Sequence, residues 1–250
     1  MTDVILEAVG VSKRFGNLVA VDRVDLRVEK GTVHGIIGPN GAGKTTLFNL
    51  FSGELSPTVG TVLFEGRPIN SLKPFERVRL GMARSFQITS LFQNLSVFEN
   101  VRVATQARDQ RGAYNFVTSV ERHRTSIAAA QEILERVDLQ PIAHVRSGEL
   151  SHGWQRVLEV ALALASSPRL LLLDEPTAGM GVDDLERMHS LLMDLSRDHT
   201  IVLIEHNVGL VMDVCNTVTV LDHGHVLTEG LPEVVSQDAR VREAYLGVGI

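Results

Sequence analysis

The sequence has little of what several classes of protein require. Its one cysteine, Cys215, cannot form an internal disulfide, and we expect it to fill a small buried apolar space. It has no excess of positive charge, because 24 lysines and arginines stand against 30 acidic residues and leave a formal charge of −6. Such a surface has no overall attraction for DNA or anionic lipid, so no nucleic-acid partner is expected.

Long apolar runs are also missing. The most apolar region, 157–173, is interrupted by polar residues and falls short of the ~20 apolar residues that a membrane-spanning helix needs. The start, Met1-Thr2-Asp3, does not have the charged, apolar and small-residue pattern of a signal peptide. We therefore expect a cytosolic chain whose role at a membrane would be peripheral.

What the sequence does have is enough apolar residues for one sizeable core, since 44% of its 250 residues are hydrophobic. Segments 4–11 and 19–28 are rich in β-branched and aliphatic residues and are expected to be paired strands. Continuous aliphatic runs, typical of a buried parallel sheet, occupy 170–173 and 200–204, and a short apolar run at 33–37 is also expected to be a strand. The crossover helix is expected at 182–197, and a final hairpin at 217–221 and 225–228. The pattern predicts an α/β fold.

The middle of the chain has a different pattern. From about 96 to 165, apolar residues recur at three-and-four spacing, which is typical of helices. We expect a single domain, 1–250, in which the core and a β sub-domain occupy 1–87 and 160–250. An inserted helical sub-domain would then occupy 88–159.

A glycine-rich loop stands where a strand is expected to end and a helix to begin. It satisfies the pattern G-x-x-x-x-G-K-[ST] with Gly38, Pro39, Asn40, Gly41, Ala42, Gly43, Lys44, Thr45 and Thr46. Glycines let backbone N–H groups surround phosphate oxygens, and the helix N-terminus adds a positive dipole. Lys44 is expected to reach the β- and γ-phosphates of ATP, and Thr45 to bind Mg²⁺. A chance match is rare in this context, so the loop predicts nucleotide binding.

Two acids follow the aliphatic run that begins at Leu170. Asp174 and Glu175 would lie at the carboxyl end of a buried strand, where α/β sheets bind ligands. Asp174 is expected to hold Mg²⁺, and Glu175 to polarise the water that attacks the γ-phosphate. The alternative is a strand that simply ends in two solvated acids, which the phosphate loop in the same chain disfavours.

The segment 150–155, Leu-Ser-His-Gly-Trp-Gln, resembles the signature of ATP-binding cassette (ABC) proteins. The phosphate loop, this signature and the acidic strand end stand in that family's order. The resemblance implies a P-loop NTPase core with an N-terminal antiparallel β sub-domain and an inserted helical sub-domain. It also implies a head-to-tail dimer, in which Ser151 and Gly153 contact the γ-phosphate held by Lys44 of the partner subunit. From the residues alone, an ordinary helix capped by Ser151 is the alternative.

Three further residues match the family position by position. Gln87 resembles the glutamine that touches Mg²⁺ and the lytic water, and His206 resembles the histidine that contacts the γ-phosphate and supports Glu175. Phe15 matches the aromatic residue that stacks on adenine. Without the family order, a histidine at a strand end is more often structural, and a phenylalanine beside a turn is more often part of the core.

Within the family, the chain is most similar to ATPases of branched-chain amino-acid uptake systems. The local sequences that carry this similarity are 83–87, 91–101, 176–180 and 242–247. This implies an importer of branched-chain amino acids or related small polar solutes, such as urea or amides. The chain would work at the cytoplasmic face of the membrane with permease subunits and, indirectly, a solute-binding protein. Permease contact is expected near 87–101, through exposed apolar residues such as Leu91, Phe92, Leu95 and Phe98. A soluble ABC-type ATPase and a P-loop kinase remain the alternatives.

The sequence departs from the commoner family residues at four positions. His152 and Trp154 stand in the signature where many relatives carry glycine and glutamine, and Phe15 replaces a tyrosine. Gly181 stands where many relatives carry an acid that acts across the dimer. The resemblance therefore implies weaker communication between the two nucleotide sites.

Overall fold

The computed structural model of the protein describes residues 3–85, 91–108 and 119–246. Contacts divide the chain into two compact units. The first contains Met1–Arg84, Arg169–Glu175 and Leu192–Ile250, and the second contains Ser85–Pro168 and Pro176–Leu191. The domain limits expected from the sequence stay a prediction.

An antiparallel sheet of the first unit has four strands in the order β2-β1-β4-β5. These are β1 (Val4–Phe15), β2 (Leu18–Glu29), β4 (Val59–Phe64) and β5 (Arg67–Pro68). β1 and β2 pair with each other, as the sequence predicted. Their alternating apolar side chains form one side of the core, since Ile5, Val11, Val24 and Val28 are all buried.

A second sheet of the first unit has six strands in the order β10-β9-β3-β8-β7-β6. They are β3 (Val33–Ile37), β6 (Met82–Arg84), β7 (Leu170–Asp174), β8 (Thr200–Ile204), β9 (Thr217–Asp222) and β10 (His225–Gly230). All neighbours are parallel except β9 and β10, which form the predicted hairpin. Every residue of β3, β7 and β8 is buried, which is why these strands read as short, mostly apolar runs. The predicted mostly parallel sheet is confirmed.

Helices of the first unit include α1 (Lys44–Ser52), α2 (Pro74–Arg79), α7 (Val208–Val214), α8 (Pro232–Gln237) and α9 (Ala239–Leu246). The core of this unit packs α1, through Leu47, Phe48, Leu50 and Phe51, with apolar side chains of both sheets. Cys215 is buried, as expected, and burial raises the pKa of its thiol to about 12.

The second unit is helical where it is described. Its helices are α3 (Val97–Arg108), α4 (Ser119–Arg136) and α5 (His152–Leu164), with short 3-10 helices at Gln140–Ile142 and Ser147–Glu149. The helix α6 (Val182–Leu195) begins in this unit and ends in the first. Ala130 and Leu134 of α4 are buried together with Val101 of α3, as the predicted three-and-four spacing requires.

Candidate functional site

The glycine-rich loop, residues 38–43, connects β3 to α1. Gly43 precedes the first residue of α1 with a φ of 102°, a conformation that favours glycine. A Cβ atom at this position would lie 2.5 Å from the carbonyl oxygen of Ala20, so a side chain would not fit. Thr45 is exposed and Thr46 is half-buried in the first turn of the helix. The loop thus leaves a helix N-terminus open to an anion, with the exposed Thr45 beside it.

Lys44 lies across this loop. Its ammonium donates to the carbonyl oxygens of Gly38, at 2.6 Å, and Pro39, at 3.0 Å, and the residue is only 6% exposed. Burial lowers the pKa of Lys44, while the negative charges of Glu175 and Asp174 act in the opposite direction. The two carbonyls hold a cation beside the loop, where it can meet a phosphate group.

Asp174 and Glu175 are adjacent in sequence and have different surroundings. Asp174 ends β7 with its side chain fully buried. Glu175 has a φ of 50°, an uncommon conformation for a residue other than glycine, and its N–H donates to the carbonyl of Ile204 at 2.9 Å. Backbone strain of this kind is concentrated at functional sites in proteins. The turn at Glu175 therefore supports a chemical role for its carboxylate.

Arg84 is a neighbour of this site that the sequence analysis missed. Its guanidinium lies 2.9 Å from Oδ2 of Asp174 and also donates to Asn49 Oδ1, at 2.6 Å, and Ser52 Oγ, at 2.9 Å. One planar group thus connects β6, β7 and α1 around the buried carboxylate, and it fixes the orientation of Asp174. The one feature of the sequence that could have indicated this role is the presence of a charged residue in the short apolar segment before Gln87.

His206 follows β8 and meets Glu175. Its Nε2 atom lies 2.8 Å from Oε1 of Glu175, and both side chains are partly exposed. Its backbone N–H donates to the Glu205 carboxylate at 3.0 Å, which holds this turn in place. A carboxylate and an imidazole in contact can together orient a water molecule and accept its proton.

The signature lies at the start of α5, in the second unit. Ser151 caps the helix, because its hydroxyl accepts a hydrogen bond from the Trp154 N–H at 3.4 Å. Ser151 is exposed, and Gly153, the second residue of the helix, is buried. An exposed N-cap at a helix N-terminus is suited to bind a phosphate group.

Of the two remaining predicted site residues, Phe15 lies within the described residues and Gln87 does not. Phe15 ends β1 and is 46% exposed, with the Lys13 ammonium 5.2 Å from the centre of its ring. An exposed ring beside a turn has a free face for stacking. Gln87 lies outside the described residues, and its role stays a prediction.

The expectation that Leu91 is exposed is wrong, because it is only 8% exposed. Asn100 of α3 accepts a hydrogen bond from the Phe92 N–H at 2.9 Å and donates to the Phe92 carbonyl at 3.2 Å. This clamp folds the segment back on the start of α3 and turns Leu91 inward. Phe92 and Leu95 are exposed, as expected, and Phe98 is half-buried.

Within the ranges 3–85, 91–108 and 119–246, no helix is both long and apolar enough to cross a membrane.

Comparisons with protein families find two matches. The profile described as "ABC transporter" matches residues 21–178, and that of the "Branched-chain amino acid ATP-binding cassette transporter" matches 225–250. BraF of Pseudomonas aeruginosa, a high-affinity branched-chain amino acid transport ATP-binding protein, is 37% identical over 253 residues, covering 99% of each chain. LivG of Escherichia coli K12, described in the same words, is 35% identical, also with 99% of each chain covered.

Solved structures are also similar over most of the chain. The ADP conformation of MJ1267, an ATP-binding cassette of an ABC transporter, is 29% identical with a TM-score of 0.86, covering 98% of this chain and 99% of that chain. The dimeric structure of MJ0796, a bacterial ABC transporter cassette, is 25% identical with a TM-score of 0.76, covering 91% and 99%. These similarities confirm the predicted P-loop NTPase fold class.

Proposed function

This chain belongs to the ABC transporter family of ATP-binding proteins, and from that membership we propose that it powers the import of branched-chain amino acids or similar small polar solutes. It is a nucleotide-binding ATPase of that family. The solute is inferred from the match of 225–250 and from the transport named for BraF and LivG. Its partners would be permease subunits, with a solute-binding protein acting outside, and the chain would work at the cytoplasmic face of the membrane.

The contact of Glu175 with His206 is the observation that carries the proposed chemistry. In this proposal, the Glu175 carboxylate accepts the proton of the attacking water, and His206 holds that carboxylate in place at 2.8 Å. Lys44 and the loop N–H groups of 38–46 bind the phosphates of ATP. Phe15 stacks on the adenine.

The residues available also fit Mg²⁺. Thr45 offers a hydroxyl and Asp174 a carboxylate, and oxygen atoms of this kind are the ligands that Mg²⁺ prefers. Gln87 would be a further ligand by resemblance. When bound, the ion would neutralise negative charge on the phosphates. Arg84 would keep the Asp174 carboxylate oriented toward it.

The second half of each site would come from another copy or a related subunit. Ser151 and Gly153 would bind the γ-phosphate held by the partner, so that ATP joins the two subunits and hydrolysis separates them. The dimer of MJ0796 supports this arrangement. Phe92 and Leu95 remain candidates for the contact with the permease, because both are exposed and apolar.

The first test replaces Glu175 with glutamine in the full chain. We expect ATP binding to persist and phosphate release to fall by about a hundredfold or more, because the amide cannot accept a proton. Glu186→Gln is the control, since Glu186 is an exposed acid on α6. Parent-like phosphate release by Glu175→Gln would remove Glu175 from this role. The test needs no acceptor substrate, so acceptor-independent turnover by the parent also distinguishes an ATPase from a kinase.

The transport role needs a test in cells. A strain without this chain should lose uptake of radiolabelled leucine, and the parent gene should restore it while Glu175→Gln does not. Normal leucine uptake in the deletion strain would contradict the proposed solute but not the ATPase activity.

A further inference from the structure

The signature turn is held by side chains that the proposed function does not use. Nε2 of His152 lies 3.0 Å from the carbonyl oxygen of Ala178. Because a carbonyl can only accept, this His152 nitrogen carries a proton. Ala178 belongs to the segment 176–181, which directly follows the catalytic candidate Glu175 and precedes α6. His152 therefore links the first turn of α5 to this segment within the second unit.

A second link joins Trp154 to α6. The Arg187 guanidinium carbon lies 4.0 Å from the centre of the Trp154 ring, and Arg187 Nη1 donates to Asp184 Oδ1 at 2.6 Å. A Cβ atom added at Gly153 would overlap the Asp184 carboxylate, so this side chain of α6 lies directly against the signature backbone. Asp184 and Arg187 thus border two consecutive signature residues.

The distance distinguishes this stack from the other cation and ring contacts of the described residues. Those four pairs have separations of 5.2–5.5 Å, whereas Arg187 lies at 4.0 Å. Asp184 also orients the guanidinium from its edge, so the group is held on two sides. Attraction to an indole face is the strongest of the common cation and ring interactions. Arg187 and Trp154 therefore form a specific cation–π contact.

The two contacts come from the two signature positions that differ from the commoner family residues. Glycine at 152 would have no side chain to reach Ala178, and glutamine at 154 would have no ring for Arg187. The His152 departure therefore connects the signature to the segment 176–181, and the Trp154 departure connects it to α6.

We propose that Arg187 is a positioning residue that acts through Trp154. The stack holds the signature turn in the orientation needed to receive the γ-phosphate of a nucleotide bound by the partner subunit. It couples that turn to α6, the helix that follows the segment 176–181 in the same subunit. The inference rests on the proposed function, because it assumes that Ser151 and Gly153 bind a phosphate.

Trp154 is the only tryptophan of the chain, so tryptophan fluorescence reports on the surroundings of this ring alone. In nucleotide-free protein, Arg187→Ala should shift the emission spectrum and increase quenching by acrylamide, because one ring face becomes open. Arg197→Ala is the matched control, since Arg197 makes the same type of bond, to Asp194 at 3.5 Å, and is largely exposed. Arg187→Lys, which keeps the charge and removes the planar group, is the second variant if Arg187→Ala is not soluble. Parent-like emission and quenching in a soluble Arg187 variant would overturn the proposed stack.

The functional test uses a Glu175→Gln background, in which bound ATP should persist. Arg187→Ala should raise the ATP concentration for half-maximal dimer formation by about three- to tenfold, measured by light scattering. Binding of a fluorescent ATP analogue to the monomer should change by less than about twofold, because Lys44 and its loop are untouched. With Trp154→Gln also present, Arg187→Ala should add no further shift.

Each outcome has one meaning. Unchanged dimer formation in Arg187→Ala, or a full further shift in the Trp154→Gln background, overturns the positioning role. Absence of any ATP-dependent dimer in the Glu175→Gln protein with Arg187 intact overturns the proposed function instead.

Discussion

His34 shows how one buried side chain makes the stability of this protein depend on pH. It lies in β3 with 1% exposure, and its Nε2 atom is 2.7 Å from Thr219 Oγ1. The Thr219 hydroxyl donates its hydrogen to Glu229 at 2.6 Å, so His34 must be the donor in the first bond. Burial lowers the pKa of His34 from 6.5 to about 4, although the Glu229 carboxylate is 4.0 Å away. The imidazole is therefore neutral in the folded protein.

The consequence is a loss of stability in mild acid. Between pH 6.5 and 4 the unfolded chain binds a proton at His34 that the folded chain does not. The free energy of unfolding should therefore decrease as the pH is lowered. Between pH 7 and pH 4.5, His34 should account for a decrease of about 2.5 kcal/mol. Urea denaturation should show a shallower pH dependence for His34→Gln, whose amide can still donate to Thr219. His223→Gln is the control, because the His223 side chain is 90% exposed. Equal pH dependence for the parent and His34→Gln would contradict this account.

At the scale of elements, Arg77 joins α2 to the end of α1. Its guanidinium is buried and donates to the carbonyl oxygens of Leu50, Phe51, Ile69 and Leu72 at 2.7–3.1 Å. Two of these carbonyls belong to the last turn of α1, where no further N–H of the helix is available. Burial lowers the pKa of Arg77 to about 10, so it stays charged at neutral pH. The charge is stabilised by carbonyl dipoles.

Arg77→Met should therefore destabilise the protein. The change leaves buried carbonyls without donors, and we expect the free energy of unfolding to fall by about 3 kcal/mol. Arg79→Met on the same helix is exposed and should change it by less than about 0.5 kcal/mol. Urea denaturation of both variants provides the measurement. A loss below 1 kcal/mol (roughly the value of one ordinary hydrogen bond) for Arg77→Met would show that the carbonyls find other donors.

Some of the strands could be predicted from the sequence, and others could not. β3 and β8 were predicted at the residues where they occur, because every residue of each strand is buried and both runs are mostly apolar. β6 was not predicted. Its three residues, Met82–Arg84, carry no periodic pattern, and they form a strand because they pair with β7.

The candidate site also has parts that the sequence could predict and parts that it could not. The loop of Lys44 and the acid pair of Asp174 and Glu175 are local patterns of consecutive residues, so the sequence could predict them. The contacts of Arg84 with Asp174 and of Arg187 with Trp154 join residues 90 and 33 positions apart. Nothing local to either residue specifies its partner, and only the folded chain brings them together.

At the scale of the whole molecule, the proposed function requires that no single chain contain a complete site. Lys44 and Glu175 belong to the first unit and Ser151 to the second. If Ser151 acts on the nucleotide of the partner subunit, each composite site contains Lys44 of one subunit and Ser151 of the other. Substitutions of Lys44 and Ser151 can then be directed either to the same composite site or to different ones. A monomeric P-loop enzyme offers no such choice.

Mixed dimers make this requirement measurable. One subunit carries Ser151→Arg, which adds bulk and charge where the γ-phosphate would bind, and the other carries Lys44→Ala. Both defects then affect the same composite site, while the opposite site has an intact Lys44 and an intact Ser151. Neither pure mutant should hydrolyse ATP, and the mixture should recover some phosphate release. A mixture of Ser151→Arg with the double mutant Ser151→Arg, Lys44→Ala is the control, because both of its sites are defective. If Ser151 acted on the nucleotide of its own subunit, every site would be defective, and mixtures shown to contain heterodimers would remain inactive.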